Sequence, residues 1–401
     1  MSHQSVDIAI IGGGIAGLWT LARLIKEGYQ AVLLEADSLG CVQTGASQGI
    51  IHGGTKYALT GKLTHSAQSI QAMPQRWKAC LEGNGEVDLS GAYKLSEHQY
   101  LWSNKNIASR LTGFFASKVM SSRMGHLKPS EYMLPFNHPG FQGEVYQLDE
   151  PVLDIKSVLE AIRVQYAERI IQMQVSDIQP DSGGYRLEST ADNIKLCAAT
   201  LILTAGAGNK RLLEILGQEQ PQQQLRPLFM PMLKASKSVL PEIYAHCLGA
   251  SALPKMTITS HPLDNNQMVW YLGGEIAEQG VGRTDVEQIQ AAKAELQKLM
   301  PWMDFSSCEW SVLAIDRAEP EIPDGSRPAE PEVFRHNNII TAWPVKLAMA
   351  PIMADKVLAQ VQQLGVALNA RDTAWQVEMK NKSVQVDTAQ LPWEKVQHWL
   401  K

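Results

Sequence analysis

The chain has 401 residues, of which 45% are hydrophobic and 19% charged, and its formal net charge is −5. This length and composition predict a soluble globular protein of two or three domains, and the slightly acidic balance argues against nucleic-acid binding. The five cysteines form no Cys-x-x-Cys pair, which predicts reduced thiols in a cytoplasmic protein. The histidines and cysteines show no ligand spacing, so no metal site is predicted. No apolar run is long enough to span a bilayer.

The first predicted elements form a strand–helix–strand unit. An apolar, β-prone run at 7–11 predicts a strand, residues 18–26 predict a helix, and 31–34 predict a second strand that ends at Glu35. A Gly-x-Gly-x-x-Gly motif occupies 12–17, between the first strand and the helix. An isolated glycine triplet would be weak evidence, but the complete unit at these spacings is the dinucleotide-binding pattern.

Each part of this unit has a physical role. Gly12 permits the tight turn, Gly14 lets the backbone approach a pyrophosphate, and Gly17 lets the helix pack close to the sheet. The pyrophosphate then lies at the N-terminus of a helix, where unpaired N–H groups favour an anion. Glu35 is expected to accept hydrogen bonds from ribose hydroxyls. The unit therefore predicts a bound dinucleotide but does not specify which one.

Helices and strands continue to alternate along the chain. The predicted elements are a helix at 64–81, a strand at 143–148, a helix at 154–168, strands at 170–178 and 185–188, a strand at 199–204 and a helix at 210–216. Small residues fill the turn at 205–208. Near the C-terminus a strand at 338–342, a turn at 343–346 and a helix opened by Pro351 form a further strand–turn–helix unit.

Two intervening stretches differ from this α/β pattern. Aromatic, strand-like runs at 228–235 and 268–274 are separated by Pro/Gly turns, which predicts an antiparallel sheet. We therefore predict an α/β fold in which a discontinuous Rossmann-like nucleotide-binding domain carries an inserted α+β substrate domain built on a mostly antiparallel sheet. The expected boundaries are 1–82, 143–224 and 321–370 for the first domain, 83–142 and 225–320 for the second, and 371–401 for a C-terminal extension.

Four segments together resemble one family of flavoproteins. They are the glycine motif at 12–17, Gly-Ala-Ser-Gln-Gly-Ile-Ile-His-Gly-Gly at 45–54, Thr-Ala-Gly-Ala-Gly at 204–208, and the C-terminal strand–turn–helix unit. They resemble the D-amino acid oxidase family, which includes glycine, sarcosine and D-amino acid oxidases and the glycerol-3-phosphate and 2-hydroxyglutarate dehydrogenases. The resemblance implies that the first domain binds FAD in an extended form, with the flavin ring between the two domains.

The resemblance carries a set of cofactor contacts onto this sequence. The matching positions are Gly12, Gly14, Ile15, Ala16, Gly17, Glu35, Ala36, Ala46, Ser47, Gln48, Gly49, Val175, Ala205, Gly206, Lys346, Leu347 and Ala348. In the family, the loop that matches 346–348 directs backbone N–H groups at the flavin pyrimidine edge, where they stabilise the negative charge of reduction. This sequence departs from the Gly-rich turn of many members, because Trp343 is bulky and Pro344 lacks an N–H donor.

The resemblance also implies four catalytic candidates. His52 lies where the family's chain reaches the flavin ring, and Ile-His-Gly-Gly at 51–54 is especially similar to the glycerol-3-phosphate dehydrogenase branch. Lys346 is expected to contact flavin or a substrate carboxylate, Arg317 lies near the family's carboxylate-binding arginine, and Tyr271 could face the flavin from the inserted sheet. The structural alternatives are a buried histidine, a solvated lysine, an ion-paired arginine and a core tyrosine.

Together these features predict an FAD-dependent oxidoreductase that oxidises a small amine or amino acid by hydride transfer to flavin N5. Its expected partners are a small, carboxylate-bearing substrate and an electron acceptor, either oxygen or a quinone. One alternative is a dehydrogenase of a hydroxy acid or of a glycerol-3-phosphate-like alcohol. Others are a non-catalytic flavin-binding protein whose pocket Trp343 blocks, and an NAD-dependent dehydrogenase. Substrate identity and oligomeric state cannot be predicted from these motifs.

Overall fold

The computed structural model describes residues 4–54, 70–103, 124–191, 194–249, 253–366 and 385–401. Its strands are β1 (Gln4–Ile11), β2 (Ala31–Glu35), β3 (Lys94–Ser96), β4 (Gln99–Ser103), β5 (Met124–His126), β6 (Glu144–Leu148), β7 (Val152–Leu153), β8 (Ile170–Gln172), β9 (Asp177–Asp181), β10 (Gly184–Ser189), β11 (Ile194–Leu203), β12 (Gln223–Ser236), β13 (Tyr244–Cys247), β14 (Met256–Pro262), β15 (Gln267–Gly273), β16 (Glu309–Pro320), β17 (Glu332–His336) and β18 (Ile339–Trp343). Its α-helices are α1 (Ile15–Lys26), α2 (Met73–Leu81), α3 (Ile155–Tyr166), α4 (Asn209–Ile215), α5 (Glu275–Glu278), α6 (Asp285–Leu299) and α7 (Ala350–Leu364).

The first large sheet has a parallel core. Six of its eight strands lie in the order β17-β18-β11-β1-β2-β8, and the β9–β10 hairpin extends from β11. β1 pairs in parallel with β2 and β11, and β11 pairs in parallel with β18. β2 is buried along its whole length because Leu33 packs with α1 on one face, whereas Val32 and Leu34 pack with β10 and α4 on the other. Burial on both faces is typical of parallel sheets in α/β proteins.

The second large sheet is antiparallel except for one pair. Its strand order is β16-β12-β15-β14-β13-β4-β6-β5, and the parallel pair is β13 with β4. The long strands β12 and β16 pair from Gln223 opposite Pro320 to Lys234 opposite Glu309. α6 packs its apolar side chains into the core of this sheet, and its N-terminus is closed by the Thr284 hydroxyl, which accepts from the Glu287 N–H. An α/β unit and a second, mostly antiparallel sheet are therefore both present.

The structure differs from the sequence expectations in three details. The run at 170–178 forms two strands, β8 and β9, instead of one. Between them the chain leaves its pairing with β2 and crosses to the β9–β10 hairpin. Met173 and Val175 in this connection are buried, so the alternating pattern continues although no strand is formed. Trp343 ends β18 instead of lying in the following turn. The strand predicted at 143–148 was assigned to the nucleotide-binding domain, but it pairs as β6 with β4 and β5 in the second sheet. Alternating burial predicts a strand without specifying its sheet.

Several segments of the sequence predictions fall partly outside the described residues, among them residues 104–123 of the predicted substrate domain. The beginning of the helix predicted at 64–81 also lies outside them, and α2 is the described end of that segment. Of the C-terminal extension, residues 385–401 are described. This segment packs on the body of the protein, with bridges between Leu39 and Thr388 and between Trp310 and Leu400.

Candidate active site

A cavity of about 600 Å³ lies between the two large sheets. One side is formed at the carboxyl ends of the parallel strands, by the turns after β1, β11 and β18 and by Glu35 at the end of β2. The other side is formed by the antiparallel sheet, through Met230 of β12, His246 of β13, Gly273 of β15 and Arg317 of β16. A crevice at the carboxyl ends of parallel strands is where open α/β sheets bind their ligands.

Most of the residues predicted to bind the cofactor line this cavity. They are Gly12, Gly14, Ile15, Ala16, Glu35, Ala36, Ala46, Ser47, Gln48, Gly49, Val175, Ala205, Gly206, Lys346, Leu347 and Ala348. Three of the four catalytic candidates, His52, Arg317 and Lys346, line it as well. Gly17 and Tyr271 do not, and both lie behind the wall.

The glycines after β1 bring three pieces of backbone close together. Gly12 has φ +112°, and a Cβ there would lie 2.6 Å from the Cα of Ala205. A Cβ on Gly17 would lie 2.0 Å from the Gly12 carbonyl oxygen. Gly17 therefore sets the distance between α1 and β1, and it acts on the ligand site only through that packing.

Glu35 is held in place at the end of β2. Its Oε2 accepts from the Gly13 N–H at 2.6 Å and its Oε1 from the Asp37 N–H at 2.9 Å. The side chain is buried and lines the cavity. Because a carboxylate has about four acceptor positions, two remain for the hydroxyls of a ribose. This arrangement fits the role predicted for Glu35.

Gln48 and Tyr271 together fix the loop that follows β2 against the second sheet. The Gln48 Nε2 atom donates to the Tyr271 carbonyl at 3.0 Å, and the Tyr271 hydroxyl donates to the Ala46 carbonyl at 3.1 Å. Tyr271 is fully buried, and burial raises the pKa of its hydroxyl. The expectation that Tyr271 faces the flavin is therefore corrected, because its side chain supports the loop from behind.

A strained turn follows β18. The Lys346 N–H donates to the Pro344 carbonyl at 2.6 Å, and the intervening Val345 has φ +62°. These two features define a γ-turn with positive φ, the rarer and more strained of its two forms, and here it holds a β-branched residue. The Arg327 Nη2 atom donates to the Val345 carbonyl at 3.3 Å. The sequence predicts a turn at 343–346, but it does not predict the γ-turn conformation or the contact with Arg327, since neither follows a local pattern.

Leu347 and Ala348, the first helical residues after this turn, line the cavity. The short 3-10 helix Leu347–Met349 leads into α7, and the first N–H groups of a helix have no partner within it. The Lys346 N–H is already bound in the turn, whereas the donor role expected for the Leu347 and Ala348 N–H groups stays a prediction. The Trp77 indole donates to the Ala348 carbonyl at 3.0 Å and anchors this segment to α2.

Arg317 belongs to a group of three arginines and two glutamates. Its Nη2 lies 3.3 Å from Oε1 of Glu278, and its Nε donates to the Arg226 carbonyl at 3.5 Å. Arg226 also lies 3.2 Å from Oε1 of Glu319. Burial, followed by the charges of Arg226 and Arg327, lowers the pKa of Arg317. Since three cations face two carboxylates, an anion beside Arg317 would be stabilised.

His52 lines the cavity beside a second histidine and a buried carboxylate. The ring of His52 stacks on that of His246 with 5.5 Å between centroids, and its Nδ1 lies 3.6 Å from Oε2 of Glu150. Glu150 accepts from the Gly53 N–H at 2.7 Å and from the Gln99 side chain at 2.8 Å. The sequence predicts no role for Glu150 or His246, because each meets the segment around His52 only in the folded chain, Glu150 through the Gly53 N–H and His246 through ring stacking.

The residues present fit FAD. The wall of one cavity contains Glu35 at the end of β2, the glycine turn after β1, residues of the loop at 46–49 and the start of the helical segment at 347–348. Gly12 and Gly14 leave room for a pyrophosphate, because a Cβ at Gly14 would lie only 3.1 Å from the Thr44 hydroxyl. Trp343 lies in the wall with its indole N–H donating to the Gly206 carbonyl at 3.3 Å, and it does not fill the cavity.

Two absences hold for the described ranges alone. Within them, no group of three or more His, Cys, Asp or Glu side chains is arranged to hold a metal ion. Among the same residues, no helix is both long enough and apolar enough to cross a membrane.

The fold and the cavity define a dinucleotide-binding oxidoreductase with an α/β unit and a mostly antiparallel second sheet. The chain belongs to the D-amino acid oxidase family, because the family profile described as "DAO: FAD dependent oxidoreductase" matches residues 7–348. It is an FAD-dependent oxidoreductase, and the NAD-dependent and non-catalytic alternatives are set aside.

Individual proteins resemble the chain to different degrees. The probable FAD-dependent oxidoreductase PA4991 of Pseudomonas aeruginosa is 44% identical over 364 residues, which cover 90% of this chain and 92% of that protein. Its crystal structure matches with a TM-score of 0.82 at 37% identity, over 98% of this chain and 99% of that one. Glycine oxidase of Pseudomonas putida is 23% identical over 337 residues, or 80% of this chain and 84% of the oxidase.

A more distant structure shows the fold alone. The FAD-bound L-α-glycerophosphate oxidase of Mycoplasma pneumoniae matches with a TM-score of 0.63 at 11% identity, over 97% of this chain and all of that one (100%). The proteins that the chain resembles thus include one named for an amino acid and one named for a glycerophosphate.

Proposed function

We propose that this oxidoreductase acts on a small amine or amino acid whose carboxylate is held by Arg317. The observation that supports this proposal is the excess of positive charge around Arg317 in the cavity wall. Glu278 and Glu319 both form ion pairs with Arg226, so they neutralise only part of the positive charge of the three arginines. An incoming carboxylate would complete the neutralisation and could bind the planar guanidinium through two hydrogen bonds.

The remaining roles follow from the groups around the cavity. Bound FAD would supply the hydride acceptor for the oxidised carbon. The N–H groups of Leu347 and Ala348 offer positive ends of dipoles at a helix start, which favour negative charge beside them. Arg317 fixes the substrate by its carboxylate and thereby limits the orientations of the reacting carbon. Oxygen or a quinone would then act as the electron acceptor.

Arg317→Met tests this proposal with pairs of substrates that differ only in the carboxylate. Removing the cation should lower kcat/KM for the amino acid by roughly 30-fold to several thousandfold, corresponding to about 2–5 kcal/mol. The corresponding amine without a carboxylate should be oxidised at a nearly unchanged rate. Arg335→Met, at an exposed arginine of β17, is the matched control. Equal losses for the amino acid and the amine would show that Arg317 does not recognise the carboxylate.

Oxidation of a hydroxy compound is a second candidate, which the His52–Glu150 pair favours. An alcohol must lose its hydroxyl proton when its carbon is oxidised, and a histidine oriented by a carboxylate is a common general base. A free amine needs no such base, because its nitrogen already carries a lone pair. The two candidates therefore differ in the compounds expected to reduce the protein-bound cofactor.

A further inference from the structure

We infer that the C-terminal segment, residues 385–401, is a clamp that holds the FAD loop in its binding conformation. The FAD loop is defined here as residues 39–46, of which all but Leu39 and Gly45 line the cavity. The family profile ends at residue 348, so the C-terminal segment lies outside the part of the chain that the profile matches. Four contacts along the loop carry the inference.

The first contact is a short piece of backbone pairing at the start of the loop. The Leu39 N–H donates to the Asp387 carbonyl at 2.9 Å, and the Ala389 N–H donates back to the Leu39 carbonyl at 3.0 Å. These bonds on both sides of Thr388 form a parallel bridge with Leu39. They fix the backbone at the point where the chain leaves β2 for the loop.

The next two contacts lie further along the loop. The Lys395 Nζ atom donates to the Cys41 carbonyl at 3.3 Å. A Cβ built on Gly45 would lie 3.9 Å from the Leu391 side chain, so Leu391 lies next to Gly45. The loop itself is made of turns without a helix or extended strand. Two backbone hydrogen bonds within the loop, from Gly45 to the Gly40 carbonyl and from Ala46 to the Val42 carbonyl, give part of its shape, and contacts with the C-terminal segment add to them.

The fourth contact passes through Tyr271, whose hydroxyl donates to the Ala46 carbonyl. Trp393 packs against Tyr271 with 5.6 Å between centroids, and it stacks on His261 with 3.7 Å between centroids. Leu391, Trp393 and Tyr271 belong to one buried apolar cluster. Trp393 thus closes the side of Tyr271 and keeps its hydroxyl directed at the FAD loop.

The far end of the segment is tied to the second sheet. The Trp310 and Leu400 backbones exchange two hydrogen bonds, of 2.6 and 2.8 Å. Trp310 is in β16, the strand that also carries Arg317. A single segment therefore connects the FAD loop with the strand that forms the opposite wall of the cavity.

A clamp of this kind raises cofactor affinity by ordering the loop in advance. A loop that is already in its bound conformation loses less conformational entropy when the ligand arrives. By reciprocity, bound FAD should stabilise the attachment of the C-terminal segment. Proteolysis of the segment should therefore be slower in the FAD-bound protein than in the apoprotein.

Trp393→Ala in the full-length chain tests the inference. Titration of the apoprotein with FAD, followed by flavin fluorescence, should give a Kd about tenfold higher than that of the unmodified protein, equivalent to about 1.4 kcal/mol. Trp302→Ala is the matched control, because Trp302 packs on Phe141 in the core of the second sheet and donates to the Pro135 carbonyl. The control should lower thermal stability and leave the Kd for FAD within about twofold.

A milder variant keeps the test valid if Trp393→Ala does not fold. Lys395→Met removes only the bond to the Cys41 carbonyl, and it should raise the Kd by about two- to threefold. The clamp is refuted if Lys395→Met and Trp393→Ala bind FAD as tightly as the unmodified protein, or if Trp302→Ala weakens FAD as much as Trp393→Ala does. Equal proteolysis of the segment with and without FAD would also refute it.

Discussion

His261 shows how a single residue can make the stability of this protein depend on pH. Its ring stacks on Trp393, and its Nε2 lies 3.0 Å from the Thr259 hydroxyl. Burial lowers the pKa of His261 from 6.5 to about 3. The folded protein therefore keeps this histidine neutral at a pH where an unfolded chain would protonate it.

The direction of the pH effect follows from that difference. Between about pH 6.5 and 3 the unfolded state binds a proton at His261 that the folded state does not bind, so stability falls as the pH is lowered through this window. From pH 7.5 to pH 5 the loss from this one residue should be about 2 kcal/mol. Urea unfolding at both pH values should show a correspondingly smaller loss for His261→Gln.

His336→Gln is the control for this prediction, because His336 is exposed on β17. It should lose as much stability on acidification as the unmodified protein does. The prediction is contradicted if the unfolding free energies of His261→Gln and His336→Gln have the same pH dependence.

At the scale of elements, the γ-turn after β18 is the feature that most clearly requires outside support. A β-branched residue with positive φ is strained by roughly 1–3 kcal/mol. The Arg327 hydrogen bond to the Val345 carbonyl helps to hold this conformation, and the buried Val345 side chain packs the turn into the wall.

Arg327→Met should release this turn while keeping most of the side-chain volume. We expect a loss of about 1 kcal/mol in unfolding free energy and a several-fold weaker binding of FAD, since the donors at Leu347 and Ala348 follow the turn directly. Thermal denaturation of the apoprotein and FAD titration measure the two effects. Arg335→Met is the exposed control, and indistinguishable results for the two variants would contradict the role of Arg327.

The elements that could be predicted from sequence are those specified by local physics. The motif at 12–17 predicts a strand–turn–helix because only glycines fit the close backbone approaches found at Gly12 and Gly17. The helix at 154–168 was also predictable, since Asp154 caps α3 through the Ser157 N–H and apolar residues recur at helical spacing. Placement within a sheet was not predictable in this way, as β6 shows.

The parts of the site that could not be predicted depend on contacts between distant segments. Tyr271 lies in an aromatic strand, but only the tertiary structure shows that its hydroxyl meets the Ala46 carbonyl instead of the cavity. Glu150 and His246 meet His52 only in the folded chain, the first at 3.6 Å from its Nδ1 and the second by ring stacking. Nothing in their local sequence distinguishes them from ordinary buried polar residues.

At the scale of the whole molecule, the function arises where the two sheets face each other. The parallel sheet supplies the glycine turn and Glu35, while the antiparallel sheet supplies Arg317 and His246. The C-terminal segment joins both sides through Leu39 and Trp310. The cofactor could be predicted because its expected contacts lie in sequence motifs of the parallel sheet. The substrate could not, because the antiparallel sheet that faces it has no comparable motif.

Anaerobic reduction of the FAD-bound protein tests the central proposal most directly. The flavin absorbance near 450 nm is followed during addition of small amino acids, the matching amines, the matching hydroxy acids and glycerol-3-phosphate, on the order of 1 mM each. We predict that at least one amino acid bleaches the flavin, and that it does so faster than its hydroxy acid analogue. Bleaching by a hydroxy compound with no response to any amine or amino acid would contradict the proposal and support the second candidate.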